Sequence, residues 1–144
     1  MKLSSLILGG GLAIAVIAGV LWVLGFGFHP PITGQGAALY NANNEITATG
    51  VVQELQEFDC PVSEHELGAH LKLQTADAVT LQIHLAPSRI LRGQNIKFAV
   101  GDKLTVVGAK FRFEGKNGII AREVTRGDET IIFRDNQGKL LLVQ

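Results

Sequence analysis

The chain has 144 residues, enough for one domain of ordinary size and an additional segment. Its only cysteine, Cys60, excludes an internal disulfide, so an exported domain would have to be stabilised by its own hydrophobic core. The 13 basic and 13 acidic residues cancel, and the sequence has neither a nucleophile-elbow serine nor a phosphate-binding glycine loop outside its apolar N-terminus. We therefore expect no enzymatic activity.

The N-terminal segment, residues 1–28, predicts a single transmembrane helix. No residue from 3 to 28 is charged, and about 20 apolar residues suffice to cross the hydrocarbon core of a bilayer. Because this run is longer than the apolar core of a signal peptide, about 7–15 residues, a retained anchor is favoured over a cleaved signal. Lys2 is the only basic side chain before Lys72. The positive-inside rule then predicts a cytoplasmic N-terminus in the bacterial inner membrane and a periplasmic domain.

Three small residues, Gly11, Ala15 and Gly19, recur every four positions in this segment. On a helix they would lie on one face, where small side chains let a second transmembrane helix approach closely. This face predicts another membrane-protein subunit as a partner. The alternative is that glycine and alanine are simply frequent in such helices.

Residues 29–45 predict a linker, and residues 46–144 predict an all-β domain. The linker is rich in proline, glycine and asparagine, with little hydrophobic pattern. Alternating apolar and polar residues predict six strands, at 46–58, 68–75, 79–85, 103–113, 118–124 and 130–134. Gly50 would mark a bulge or bend in the first strand, and Glu114-Gly115-Lys116-Asn117 predicts a hairpin connection.

The order of these elements favours an OB-like Greek-key barrel of five to six strands. A short helix, with Ser88 as its N-cap, is predicted between the third and fourth strands. Three strands, a helix and two further strands are the order of an OB-fold, and residues 130–134 would add a sixth strand. A β-sandwich is the alternative, but its seven strands are hard to find in this sequence.

Cysteine and histidine residues form the candidate metal site of the predicted domain. A three-residue turn at 76–78 would place His70 directly opposite His84 on the outer face of the second and third strands. Directly opposed residues have Cβ atoms about 4.5–5.5 Å apart, close enough to share a metal ion or a haem iron. Cys60 and His65 are additional candidate ligands, although their spacing matches no compact zinc motif. The alternative is two surface histidines on a solvated sheet.

Charge is distributed unevenly along the chain. Residues 1–87 carry seven acidic and two basic residues, whereas residues 88–144 carry six acidic and eleven basic residues. Phe111 and Phe113 alternate with Lys110 and Arg112, a pattern that suits single-stranded nucleic acid. A periplasmic domain meets little nucleic acid, so we expect no such partner. The uneven charge equally suits docking of a protein neighbour.

Two stretches resemble known families. The run Gly101-Asp102-Lys103-Leu104-Thr105-Val106-Val107-Gly108 and the run 133–138 are similar to the small periplasmic OB-fold proteins of bacteria. The overall layout, with Ile120-Ala121-Arg122-Glu123-Val124, resembles the membrane-anchored haem chaperone of cytochrome c maturation. That family attaches haem through a histidine followed by Asp-Glu, and here Gly127 occupies the position of the histidine before Asp128 and Glu129.

These features predict a non-catalytic accessory or assembly subunit that docks on a larger membrane complex. The alternative function is a carrier of metal or haem that uses His70 and His84, with Cys60 or His65 as further ligands. Oligonucleotide binding is the least favoured function. No cofactor is predicted for the accessory subunit.

Overall fold

The computed structural model describes residues 39–63 and 66–142. The predicted anchor, with Gly11, Ala15 and Gly19, lies outside these residues, as do His65 and most of the predicted linker. Within the described part of the chain, no helix has the length and apolar character needed to cross a membrane.

In the described residues, the domain has six strands, one short α-helix and two turns of 3-10 helix, at Ala42–Asn44 and Pro61–Ser63. The strands and the α-helix are β1 (Glu45–Asp59), β2 (Leu67–Thr75), β3 (Thr80–Pro87), α1 (Ser88–Gly93), β4 (Lys103–Phe113), β5 (Lys116–Arg126) and β6 (Glu129–Ile132). The sheet order is β3-β2-β1-β4-β5-β6, with every neighbouring pair antiparallel. In addition, β3 pairs in parallel with β5 over three residues of each strand. The prediction of a mostly antiparallel β domain with few helices is confirmed.

Strand β1 changes partners along its length. Its first half, through Val51, pairs with β4, and its second half, from Gly50 onward, pairs with β2. A Cβ on Gly50 would lie 2.4 Å from the carbonyl oxygen of Gln74, so only glycine allows the two strands to approach here. The irregularity predicted at Gly50 instead lies between Val52 and Glu54. Gly50 therefore marks a close backbone approach and not the bulge itself.

Two local predictions, a hairpin connection and a helix N-cap, need correction. Strands β4 and β5 are joined by Glu114-Gly115 alone, both with positive φ, 48° and 76°. A two-residue turn with this backbone matches the right-handed twist of the strands, so β5 begins at Lys116, two residues earlier than predicted, while β4 ends at Phe113 as predicted. Ser88 is not an N-cap: Pro87 occupies that position, and the buried Ser88 hydroxyl has no hydrogen-bond partner among the residues that the structure describes.

Two separate hydrophobic clusters pack on the sheet. The larger is formed by fully buried residues of all the long strands and by Phe133. The smaller contains Tyr40, Cys60, Val62, Ala109 and Ile120. Because Ile119 belongs to the first cluster and Ile120 to the second, and successive side chains of a strand point to opposite faces, the clusters lie on opposite faces of β5.

The smaller cluster overturns one expectation about the outer face. His70 and His84 were expected on the outer face of the sheet, but they are only 2 % and 1 % exposed. The reason is that this face of the sheet is covered. Tyr40, which precedes β1 in sequence, Cys60 and Val62, which follow it, and Phe111 and Phe113 of β4 pack over it. The candidate site therefore lies in an apolar environment.

Candidate metal centre

Three elements bring the candidate ligands together. Cys60 follows the last residue of β1 and starts a turn of 3-10 helix at Pro61–Ser63. His70 lies on β2 and His84 on β3, and the two are direct partners in the register of these strands. The register predicted from the turn length is therefore confirmed.

The ligand atoms of these three side chains converge. Cys60 Sγ lies 3.1 Å from His70 Nε2 and 3.6 Å from His84 Nδ1. All three atoms lie within 4.8 Å of one another, and all three residues are buried. Ligands at typical zinc distances, about 2.0–2.3 Å from the ion, are about 3.5 Å apart. Among the described residues, this is the one group of three or more potential side-chain ligands that lie this close.

Aromatic packing holds both imidazoles in place. The ring of Phe58 stacks on His70, with centroids 3.7 Å apart and an angle of 7° between the planes. The rings of His70 and His84 meet edge to face at 4.7 Å, and Phe111 meets His84 edge to face at 5.3 Å. Phe113 packs on the same side of His84 at 6.0 Å. These contacts leave each imidazole little freedom to turn away from Cys60.

A small turn fixes the position of Cys60. The Ser63 hydroxyl donates to the carbonyl oxygen of Cys60 at 2.9 Å and to that of Glu66 at 2.7 Å. Gly68 lies beneath this turn, where a Cβ would come within 2.8 Å of His70 Cε1 and 2.9 Å of Ser63 Oγ. Glycine at this position is therefore what lets the turn and His70 pack against each other.

The electrostatic environment keeps both histidines neutral. Burial lowers the pKa of His70 to about 4. Burial, and next the charges of His70 and Arg134, lower the pKa of His84 to about 3. Neutral imidazole is the form of histidine that binds metals. His70 Nδ1 and His84 Nε2, the nitrogens that face away from Cys60, have no hydrogen-bond partner among the described residues.

A cavity of about 300 Å³ reaches the cluster at His84. Its lining residues are Gln56, Phe58, Asp59, Gln82, His84, Phe113, Glu114 and Lys116. The Gln82 amide donates to Gln56 Oε1 at 3.1 Å and so closes one wall. His84 is therefore a wall residue of a cavity with a mixed polar and aromatic lining.

The structure brings together three of the four candidate ligands suggested by the sequence, Cys60, His70 and His84. His65 lies outside the described residues. The supporting residues Phe58, Ser63 and Gly68 were missed. Phe111 and Phe113 were considered only as aromatic side chains on which nucleic-acid bases could stack. Phe58 had one available signal: it stands two residues before Cys60 and shares an alternation frame with Gln56, the cross-strand partner of His70.

The fold and the cluster together define a small antiparallel β protein with a buried cysteine–histidine site of metal-ligand type. The chain belongs to the MamS/MamX magnetosome protein family, whose model matches residues 44–131. The matched region spans more than half of the chain and includes Cys60, His70 and His84.

Comparison with solved structures shows a distant similarity to the N-terminal domain of the PriB protein from Thermoanaerobacter tencongensis, described as dimeric. The two are 19% identical with a TM-score of 0.38, over 60% of this chain and 99% of that chain. No curated protein matches the chain. The comparisons do not support the resemblance to the haem chaperone, and Gly127 lies in the turn between β5 and β6 with φ 59°.

Proposed function

We propose that this protein is a non-catalytic accessory protein of the magnetosome and that its β domain binds a metal ion at Cys60, His70 and His84. The observation that carries the proposal is the convergence of three buried ligand atoms within 4.8 Å. Membership of a magnetosome protein family supports the setting, and the lack of a recognisable catalytic motif in the sequence supports a role other than catalysis.

A cluster of polar side chains is costly inside an apolar environment unless its members have partners. Transfer of an uncompensated polar group out of water costs about 1–3 kcal/mol in proteins. Here a thiol and two imidazoles occupy positions where aliphatic side chains would pack at lower cost. A bound ion offsets this cost by direct coordination, because Cys and His are its preferred ligands.

The alternative is a Cys60–His70 hydrogen bond inside a purely structural cluster. Metal analysis of the full-length protein, purified from native membranes in mild detergent, separates the two. We expect one metal ion per chain in the wild-type protein and none in the His70→Ala/His84→Ala double variant. A metal-free wild-type protein that also takes up no added ion would disprove the metal site. A Soret band would instead indicate haem.

We also propose that the β domain is a closed OB-like barrel. The parallel pairing of Gln82–His84 with Gly118–Ile120 supports this arrangement, because it joins the two ends of the series β3-β2-β1-β4-β5. A barrel without free edges on these five strands predicts slow amide hydrogen exchange along both β3 and β5. Fast exchange along the paired part of β3 would argue for an open sheet.

The membrane anchor and the periplasmic location are proposals from the sequence. The anchor would hold the β domain outside the inner membrane and present Gly11, Ala15 and Gly19 to a partner subunit. Crowding this face with Gly11→Leu and Gly19→Leu should release co-purifying membrane proteins. Ala13→Leu, on the opposite helical face, is the matched control and should retain them. Equal retention by both would remove the docking face from the proposal.

A further inference from the structure

We infer that the ion held by Cys60, His70 and His84 is monovalent copper, bound by these three protein ligands alone. The inference rests on the proposed metal site and names its ion. It follows from three properties of the cluster: the softness of its ligands, their number and the charges that surround them.

The ligand set is soft. One thiolate and two imidazoles suit copper and zinc, whereas magnesium, calcium and manganese prefer carboxylate and carbonyl oxygens. Within residues 39–63 and 66–142, no aspartate or glutamate belongs to the group. The nearest carboxylate in sequence, that of Asp59, lies on an exposed residue that lines the neighbouring cavity. A set of one sulfur and two nitrogens in trigonal arrangement is typical of protein copper sites.

The number of ligands argues against a structural zinc ion. Structural zinc is almost always bound by four protein side chains in a tetrahedron. In the part of the chain that the structure describes, three ligand side chains converge and no fourth joins them. The only methionine is Met1, so the β domain has no thioether to serve as an axial ligand. Monovalent copper is stable with three ligands.

Charge favours a monovalent ion. A single thiolate, that of Cys60, balances the charge of a monovalent ion, so the two form a neutral unit. A buried positive charge lies nearby: Arg134 is 3 % exposed and donates to the carbonyl oxygens of Leu85 and Ala121. These two residues follow His84 and its cross-strand partner Ile120 directly in sequence. A divalent ion would add an uncompensated positive charge beside Arg134 in an apolar environment, which is costly.

The aromatic side chains around the cluster also favour a monovalent ion. Phe58 covers His70 on one side, and Phe111 and Phe113 pack against His84. Apolar surroundings exclude water from a metal site and favour the oxidation state of lower charge. Binding then needs no change of oxidation state: the Cys60 thiol releases one proton to solvent, one S–Cu bond forms, and both imidazoles donate a lone pair.

The test is an anaerobic titration of the full-length protein in mild detergent. Monovalent copper is offered in the presence of a chromogenic copper(I) chelator, and zinc in the presence of a chromogenic zinc chelator. We expect one copper ion per chain and an affinity for copper(I) at least about tenfold higher than for zinc. Cys60→Ser and His70→Gln should lose copper binding while circular dichroism shows a retained fold, and His29→Ala should bind as the wild type does.

Each other outcome overturns a specific statement. If zinc binds through the same three residues as tightly as copper(I) or more tightly, the metal site stands and its assignment to copper falls. If neither ion binds, both the metal site and the copper assignment fall. X-ray absorption of the copper-loaded protein should show one sulfur and two nitrogen ligands. A fourth ligand, or loss of copper in His65→Ala, would overturn coordination by these three residues alone.

Discussion

His70 and His84 are direct partners across β2 and β3, and their rings meet edge to face with centroids 4.7 Å apart. The pairing alone would leave two histidines side by side on a sheet. Cys60 adds a third potential ligand because the chain turns at Pro61–Ser63, directly after β1, and places its Sγ beside both rings. The site therefore depends on three strands and on the aromatic side chains that cover it, which makes specific predictions possible.

Phe58→Ala should weaken both the fold and the metal site. The half-buried ring stacks on His70, so its removal should lower the free energy of unfolding by about 2 kcal/mol, below the range for fully buried phenylalanine. Leu55→Ala, on the opposite face of β1 and 46 % exposed, is the control. Denaturant unfolding and metal affinity check the prediction; equal loss of metal affinity in both variants would contradict it.

Gly68→Ala should weaken metal binding by more than its effect on the stability of the domain would explain. The added Cβ would lie 2.8 Å from His70 Cε1 and 2.9 Å from Ser63 Oγ, so we expect it to displace the imidazole or the turn that carries Cys60. Gly101→Ala is the matched control: its Cβ meets nothing within 4 Å, but its φ of 92° makes alanine strained by about 1 kcal/mol. Metal affinity should fall in the first variant and not in the second. Unchanged affinity in both would show that His70 is not positioned by Gly68.

The metal-free protein should lose stability as the pH falls below 6.5. The pKa values of His70 and His84 drop from the ordinary 6.5 to about 4 and about 3, so the unfolded chain binds protons over a range in which the folded chain does not. Their stabilising contribution is complete above pH 6.5 and is lost as the pH falls from there towards 4 and 3. Denaturant unfolding at several pH values measures it. His70→Gln should show a shallower dependence, and a dependence as steep as that of the wild type would contradict the assignment.

Glu45→Gln should destabilise the start of β1. The carboxylate accepts from the Tyr40 hydroxyl and from Arg122, whose Nε is 2.7 Å away, and these hydrogen bonds lower the pKa of Glu45. We expect a loss of about 1 kcal/mol, since the pair is largely buried and charge-assisted. Glu54→Gln, which breaks the exposed pair with Lys72, is the control and should change stability much less. Denaturant unfolding measures both variants. An equal loss of stability in Glu45→Gln and Glu54→Gln would show that burial does not strengthen the pair of Glu45 with Arg122.

The alternation of apolar residues and the turn chemistry were sufficient to predict most of this fold. Strand β4 has the predicted bounds, and the other strands differ by a few residues at their ends. The pairing of His70 with His84 also followed from local information, because the length of the turn at 76–78 sets the register of the strands on either side. The connection between β4 and β5 was predicted to be four residues long, 114–117, but it contains only Glu114 and Gly115. The positive φ angles that make this two-residue turn possible are a property of the folded backbone.

The environment of the site was decided only by tertiary structure. Alternation tells which side chains share a face, but it does not tell what covers that face, and His70 and His84 were therefore expected in solvent. Their burial depends on residues distant in sequence: Tyr40 and Cys60 on either side of β1, and Phe111 and Phe113 on β4. The convergence of Cys60 with both histidines has the same origin. A cysteine 10 residues from His70 and 24 from His84 joins them only because β1, β2 and β3 are adjacent in the folded sheet.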